Sequence, residues 1–320
     1  MSSAFTIENE VSILPLPADF EFAGGSIPAP QLAYELHGRL DGPLVCVLGG
    51  ISAGRNIPGF WEALAGPGRA LDTRELCLVG IDWLGGAGHS SGPQSSGLRW
   101  NFPAVSTRDQ ARALHALLPA LRRTRFDALV GASFGGMVGL CFAELFPEAL
   151  GRLVAISAPA ASDPLASAWR ALQAAILEFG RETGREERAL ELARGLALTT
   201  YRAREDWARR GGRAGVRSYL EARGADFVRR FDAPALSVLS RATDEHVVDP
   251  RAIRVPVTLA GADSDLLVPF ESLEQLAREL AGPVELRRIR SAYGHDAFLK
   301  EPEQVGALVR AALAGIGGAA

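Results

Sequence analysis

The sequence Gly131-Ala132-Ser133-Phe134-Gly135 constrains the fold of this chain more than any other feature. It directly follows an apolar run over 126–130, and it directly precedes a helical pattern over 135–145 that is rich in small residues. A G-x-S-x-G between a strand and a helix is typical of a nucleophile elbow, a tight turn that holds a serine hydroxyl at the carboxyl edge of a sheet. Glycines permit so tight a turn. The sequence therefore predicts that Ser133 is a nucleophile, with a purely structural turn as the alternative.

Apolar runs and helical patterns alternate along most of the chain. The runs predict a buried strand over 43–48 and further strands over 76–81, 126–130, 153–157, 256–261 and 284–289. Apolar residues at helical spacing predict helices over 107–121, 135–145, 273–280 and 305–313. This alternation indicates an α/β fold with a mostly parallel sheet and helices on both faces. In such a sheet the chemistry lies at the carboxyl ends of the strands.

The segment 163–234 interrupts this alternation. It is rich in Arg and Glu and is helical by propensity. We interpret it as an inserted helical cap, or lid, over the site, with residues 1–162 and 235–320 forming the α/β core. The alternative is a set of solvated amphipathic helices whose role is only packing.

A serine hydroxyl is a poor nucleophile until a base takes its proton. Two of the five histidines, His246 and His295, follow the elbow and the start of the insertion. His295 lies in the loop after the predicted strand 284–289, which places it at the carboxyl edge, whereas His246 has no such placement. An acid is expected after the preceding strand, where Asp263 and Asp265 both occur. Spacing alone does not choose between these two carboxylates.

The tetrahedral intermediate of acyl transfer needs two N–H donors. One is expected to be the backbone of Phe134, directly after the nucleophile, and the other Gly50 or Ile51 in the loop after the first core strand. The alternative for this loop is an ordinary strand-ending turn. Together these residues predict the α/β-hydrolase fold with a Ser–Asp–His triad, and they leave open which acyl group moves.

Composition and charge exclude several other classes of function. The net charge of −3 argues against a globally basic nucleic-acid binder. Cys46, Cys77 and Cys141 lie in apolar runs without C-x-x-C spacing, which indicates reduced thiols and no metal site. Residues 1–10 lack a signal-peptide pattern, and no apolar stretch has the length of a membrane span. We therefore expect a cytoplasmic protein without membrane partners.

Beyond the triad, the chain resembles the homoserine O-acyltransferase family of α/β-hydrolases from about residue 43 to about residue 313. The motif with the highest specificity is Tyr-Gly-His-Asp-Ala-Phe over 293–298. An Asp-x-Leu-x-Pro motif over 265–269 also matches, and because its first residue is the triad acid in the family, the resemblance selects Asp265. Other matching segments lie at 61–73, 91–93, 106–109, 135–137, 218–220, 223–224 and 227–232.

The resemblance also implies how an amino-acid substrate is held. Arg194 and Tyr201 have the seven-residue spacing of the family's substrate clamp, and Asp296 matches the position that faces the substrate ammonium. A guanidinium suits a carboxylate because it donates two parallel hydrogen bonds. The alternative for Arg194 is a solvated helix arginine. Family members pair through their cap helices, so a homodimer is expected.

The chain departs from the family in the oxyanion loop over 48–52, in Phe134 where Met is usual, and in a shorter cap. These departures leave the acyl donor open. Arg55, just past the oxyanion loop, is a candidate partner for the distal carboxylate of a succinyl group, with a surface position as the alternative.

The resulting hypothesis is a CoA-dependent O-acyltransferase that moves an acetyl or succinyl group to L-homoserine in methionine biosynthesis. Acyl-CoA is a co-substrate, no cofactor is needed, and turnover is ping-pong through an acyl-serine. The alternatives are a serine O-acyltransferase of the same family and a serine esterase or hydrolase with the same triad. A non-enzymatic binding module is disfavoured because all three triad positions are filled.

Overall fold

The computed structural model describes residues 11–316. The first ten residues, in which we expect no signal peptide, lie outside this range. Within the range, eight strands form one sheet in the order β1-β2-β4-β3-β5-β6-β7-β8. The strands are β1 Ser12–Pro15, β2 Gln31–Gly38, β3 Leu44–Leu48, β4 Cys77–Ile81, β5 Ala128–Ala132, β6 Leu153–Ile156, β7 Val257–Ala262 and β8 Val284–Ile289.

Strands β3 to β8 run parallel, which confirms the predicted fold class. The other two strands were not predicted: β2 pairs antiparallel with β4, and β1 pairs antiparallel with β2. Glu35 and His37 interrupt the apolar residues of β2, so the strand has no continuous apolar run. These two strands form one edge of the sheet, far along it from the predicted chemistry.

Helices cover both faces of the sheet. On β3, the side chains of Leu44, Cys46 and Leu48 join the core that includes α2 and α3. Val45 and Val47 alternate with them and join the opposite core, which includes α1 and α11. The helices of the described range are α1 Ile57–Trp61, α2 Thr107–Ala120, α3 Phe134–Leu145, α4 Pro164–Thr183, α5 Glu186–Tyr201, α6 Arg204–Ala208, α7 Gly212–Val228, α8 Ala233–Asp244, α9 Phe270–Glu279, α10 Ala297–Lys300 and α11 Pro302–Leu313.

The segment between β6 and β7 forms five consecutive helices, α4 to α8. Helix α4 begins where the Asp163 carboxylate accepts hydrogen bonds from two backbone N–H groups of the first turn, with Pro164 as the first helical residue. It ends at Gly184, whose φ of 69° is the left-handed conformation that favours glycine. Buried side chains of α4, α5, α7 and α8 form a small core of their own: Leu177, Leu190, Ala193, Phe227, Ala233 and Leu236.

The predicted cap boundary after residue 234 falls inside helix α8. The first half of α8 packs in the cap core through Ala233 and Leu236. Its second half packs in the sheet core through Leu239 and Ala242. One continuous helix therefore belongs to both units, and a boundary at 234 would divide it.

The cysteines are free and buried, as their apolar surroundings predict. Burial raises the pKa of the Cys77 and Cys141 thiols to about 11, which keeps both protonated at neutral pH. Within residues 11–316, no helix combines the length and the apolar character that crossing a membrane requires.

Candidate active site

Ser133 occupies the turn between β5 and α3 with φ 54° and ψ −122°. This left-handed backbone is strained for a residue with a side chain, and such strain is typical of a nucleophile elbow. The flanking glycines are required by close backbone contacts. A Cβ on Gly131 would lie 2.3 Å from the carbonyl oxygen of Gly135, and a Cβ on Gly135 would lie 2.5 Å from the carbonyl oxygen of Leu48.

The three predicted triad residues lie in one hydrogen-bonded chain. The Ser133 hydroxyl is 2.7 Å from His295 Nε2, and His295 Nδ1 is 2.7 Å from Asp265 Oδ2. Asp265 Oδ1 accepts two further hydrogen bonds, from the backbone N–H groups of Leu267 and Val268. These bonds fix the carboxylate so that it holds the imidazole with its Nε2 lone pair toward the serine.

Asp263, the other candidate acid, lies outside this chain of hydrogen bonds. Its Oδ1 accepts a 3.3 Å hydrogen bond from the backbone N–H of Ser291, at an exposed position. The geometry therefore favours Asp265, in agreement with the choice made from the resemblance. His246 is also distant from the triad. It is buried between Thr107 and the carbonyl of Pro159, and burial lowers its pKa to about 4.

The electrostatic surroundings of His295 favour its protonated form. Burial alone would lower the pKa of the imidazole, but the charge of Asp265 and its hydrogen bond outweigh burial, and Asp296 adds to them. The pKa of His295 is therefore raised above its ordinary value of 6.5. A base with this property takes the serine proton readily and stabilises the imidazolium that forms during attack.

The proposed oxyanion donors lie beside the nucleophile. Phe134 is the first residue of α3, where a backbone N–H has no acceptor within the helix. The loop after β3 approaches from the other side, since a Cβ on Gly50 would lie 4.0 Å from Ser133 Cβ. The carbonyl of Gly50 accepts a hydrogen bond from Trp83 Nε1. Phe134, Gly50 and Ile51 stay the predicted donors.

A cleft of about 620 Å³ opens over Ser133 and His295 between the core and the cap. The predicted substrate residues Arg194, Tyr201 and Asp296 all line it. The structure thus brings side chains from α5 to the same cavity as Asp296, which belongs to the loop between β8 and α10. We call this loop the catalytic loop because it also carries His295.

Arg194 is half-buried in this cleft and forms no ion pair with any residue between 11 and 316. Its guanidinium carbon lies 4.7 Å from the ring of Phe227 and 5.6 Å from the ring of Tyr201. These rings orient the guanidinium without neutralising it. Burial raises the pKa of Tyr201, so its hydroxyl stays a hydrogen-bond donor. The pair can receive a carboxylate.

The Asp296 carboxylate is already paired with an arginine of the cap. Arg202 Nε lies 2.9 Å from Asp296 Oδ2, and both side chains are largely buried. Arg202 directly follows Tyr201, but its role could not be predicted because nothing in the sequence distinguishes it from the other arginines of the insertion. Its partner Asp296 comes from a loop that is distant in sequence. The ion pair ties the cap to the catalytic loop.

Arg55 does not line the cleft, which argues against its candidate role as a partner for a succinyl group. Its Nη1 lies 2.5 Å from Asp82 Oδ2, and its Nε lies 3.5 Å from Glu35 Oε2. Asp82 Oδ1 also accepts a hydrogen bond from the Arg55 backbone N–H. Two buried carboxylates thus hold the guanidinium below the oxyanion loop.

In the described part of the chain, no group of three or more His, Cys, Asp or Glu side chains could hold a metal ion.

The sheet, the elbow and the hydrogen-bonded triad define an enzyme of the α/β-hydrolase class. In keeping with this, the family model described as the α/β-hydrolase fold matches residues 43–302. The chain belongs to the homoserine O-acyltransferase family of that class. It is 38% identical to a homoserine O-succinyltransferase of Xanthomonas campestris over 301 residues, which cover 88% of this chain and 79% of that protein.

Two further proteins place the chain among the same relatives. A homoserine O-acetyltransferase of Thermobifida fusca is 34% identical over 350 aligned positions, covering 94% of this chain and 92% of that protein. The crystal structure of homoserine O-acetyltransferase from Bacillus anthracis superimposes with a TM-score of 0.86 at 19% identity, covering 96% of this chain and 98% of that one. The relatives therefore include both acetyl- and succinyltransferases.

Proposed function

We propose that this protein is a CoA-dependent O-acyltransferase that acylates the hydroxyl of L-homoserine, a step of methionine biosynthesis. One observation carries the proposal: Arg194 lies in the cleft above a complete triad without an acidic partner in the described range. A simple esterase has no need of a guanidinium held free for a carboxylate. An amino-acid acceptor requires one.

In the first half-reaction, His295 Nε2 takes the Ser133 proton as Oγ attacks the thioester carbon of acyl-CoA. The backbone N–H groups of Phe134 and the Gly50–Ile51 loop receive the oxyanion. The carbon–sulfur bond then breaks, and the His295 proton goes to the leaving thiolate. CoA departs and leaves an ester on Ser133.

The charge of the cleft suits this donor. Six basic and three acidic side chains line it, so the cleft is positive overall and attracts the phosphates of CoA. The basic residues are Arg194, Arg202, Arg210, Arg223, Arg230 and Lys300, and the acidic residues are Asp206, Asp226 and Asp296.

In the second half-reaction, homoserine enters the same cleft with its carboxylate on Arg194 and Tyr201. The Asp296 carboxylate, which Arg202 already holds in place, also receives the ammonium of homoserine. His295 now removes the proton of the substrate hydroxyl, whose oxygen attacks the ester carbon. The ester bond to Ser133 breaks, and the proton on His295 returns to the serine. The clamp favours transfer over hydrolysis because an oriented hydroxyl reacts far faster than free water.

The test combines acetyl-CoA and succinyl-CoA with homoserine, serine or no acceptor, and follows the release of the CoA thiol. The proposal requires release that depends on homoserine with at least one donor. Release that depends on serine instead would support the serine O-acyltransferase. Release that is independent of any amino acid would support an esterase or thioesterase.

A cytoplasmic location and a homodimer complete the proposal. Support for the dimer comes from the outer side of the cap, where α5 and α7 border a groove with apolar lining from Leu192, Leu196, Val216 and Leu220. Sedimentation of the wild type and of Leu192→Glu tests it. The wild type should sediment as a dimer and the variant as a monomer.

A further inference from the structure

A second, smaller cavity also borders the nucleophile. It shares Ser133, His295, Tyr201 and Ile51 with the large cleft, and its volume is about 50 Å³. A cavity needs about 10–15 Å³ to hold one water, so this one has room for more than a single small group. A chain bonded to Ser133 can therefore extend into it while homoserine occupies the cleft.

The lining of this cavity is partly apolar and partly polar, and its polar part includes Arg170 and Gln173 of α4 and Ser240 of α8. A cavity shaped only for the methyl of an acetyl group would have no need of these polar side chains, because a buried polar group without a partner is destabilising. The lining thus indicates an acyl group with a polar end.

Hydrogen bonds from two of its three nitrogens hold the Arg170 guanidinium in place, and the third nitrogen has no hydrogen bond to the described residues. Its Nε donates a 2.7 Å hydrogen bond to Asp244 Oδ1, and Nη2 donates to the hydroxyl of Ser162. Asp244 Oδ1 also accepts a hydrogen bond from Ser167, which fixes the carboxylate. Arg170 Nη1 forms no hydrogen bond with any residue between 11 and 316. Only 12% of the Arg170 side chain is exposed, so this free donor has little access to bulk water.

Gln173 and Ser240 provide further hydrogen-bond donors that have no partner among the described residues. They are 5% and 7% exposed, and within the described range neither side chain is hydrogen-bonded. An amide N–H₂ and a hydroxyl both donate to a carboxylate. One acidic residue, Asp163, also lines the cavity, but it caps α4, and its Oδ1 accepts two backbone hydrogen bonds there. The helix N-terminus offsets the charge of that carboxylate.

We propose that Arg170, Gln173 and Ser240 bind the distal carboxylate of the donor's acyl group, so that the donor is succinyl-CoA. This inference rests on the proposed acyltransferase function and names its acyl group. Beyond the carbonyl that Ser133 attacks, a succinyl group has two methylenes and one carboxylate, which is a close match to the size of the cavity. Arg170, and not the sequence candidate Arg55, receives this carboxylate in the proposal.

The experiment measures kcat/KM for succinyl-CoA, butyryl-CoA and acetyl-CoA with saturating homoserine. Butyryl-CoA matches the four-carbon chain of succinyl-CoA but ends in a methyl. In the wild type we expect succinyl-CoA to exceed both other donors by about tenfold or more, since charge-assisted hydrogen bonds contribute about 1.5–3 kcal/mol. Arg170→Met should lower the succinyl-to-butyryl ratio by about 10- to 100-fold.

Two further variants keep the test decisive. Gln173→Leu leaves the Arg170–Asp244 ion pair intact and should lower the same ratio, even if Arg170→Met folds poorly. Arg181→Met is the matched control, because Arg181 lies on the same helix with half of its side chain exposed and pairs with Glu178. The control should leave the ratio unchanged.

Equal or better use of acetyl-CoA or butyryl-CoA by the wild type would overturn the inference. So would a ratio that neither Arg170→Met nor Gln173→Leu changes. In both cases homoserine-dependent CoA release would persist, and the proposed function would stand. Absence of homoserine-dependent release with every donor would overturn the proposed function together with this inference.

Discussion

Replacing Arg194 by methionine tests the amino-acid clamp most sharply. The methionine side chain keeps apolar contact with Phe227 and removes the guanidinium, which has no acidic partner of its own in the described range. Removing it therefore leaves no buried protein carboxylate unpaired. The loss of the contacts with Phe227 and Tyr201 should cost about 1 kcal/mol of unfolding free energy, a small effect.

The effect on catalysis should be much larger and confined to one half-reaction. Charge-assisted hydrogen bonds to the homoserine carboxylate contribute about 1.5–3 kcal/mol, so kcat/KM for homoserine should fall by about 10- to 150-fold. In ping-pong turnover the acyl-CoA reacts before homoserine binds, so kcat/KM for acyl-CoA should change by less than about threefold.

Initial rates over a grid of both substrates separate these two constants. Arg188→Met is the matched control, because Arg188 lies on the same helix, is exposed and pairs with Glu191. Equal losses of kcat/KM for acyl-CoA and homoserine in Arg194→Met would refute the clamp. An unchanged constant for homoserine would refute it as well.

Three further predictions concern the triad acid, the triad base and the glycine that precedes the base. Asp265→Asn should lower kcat by about 10³- to 10⁴-fold in steady-state assays, whereas exposed Asp263→Asn should change it by less than about threefold. Because the base must be neutral and the pKa of His295 is raised above 6.5, the pH profile of kcat/KM for acyl-CoA should fall toward acid with a midpoint above 6.5. A midpoint below that value would contradict the assignment. Gly294→Ala should reduce both kcat and Tm, since the φ is 58° and a Cβ would lie 2.6 Å from the carbonyl of Tyr201; calorimetry showing an unchanged Tm would refute that contact.

The residues that the sequence located best are those whose roles follow from strand ends. Ser133 and His295 could be placed because each follows a predicted strand, and parallel strands bring their carboxyl ends to one edge. The two candidate acids could not be separated in this way. They are two residues apart on one loop, and only the resemblance and then the hydrogen bonds of Asp265 distinguished them.

The arginines show where sequence reasoning fails. Arg55 directly follows the oxyanion loop, but its guanidinium is held by two carboxylates from elsewhere in the sheet. Glu35 lies on β2, and Asp82 directly follows β4. Arg170 and Arg202 form ion pairs with Asp244 and Asp296, partners that are far away in sequence. Helical periodicity predicts which side chains share one face of a helix. It does not predict which carboxylate from a distant part of the sequence those side chains contact. The antiparallel strand β2 was not predicted for a similar reason, since its pairing with β1 and β4 defines it more than its own residue pattern does.

The central claim is that Ser133 carries the acyl group between the two half-reactions. The direct measurement is mass spectrometry of protein mixed with acyl-CoA without homoserine and quenched in acid. We expect one acyl group on the peptide that contains Ser133, its disappearance on addition of homoserine, and none in Ser133→Ala. Homoserine acylation that proceeds at full rate in Ser133→Ala would contradict the account.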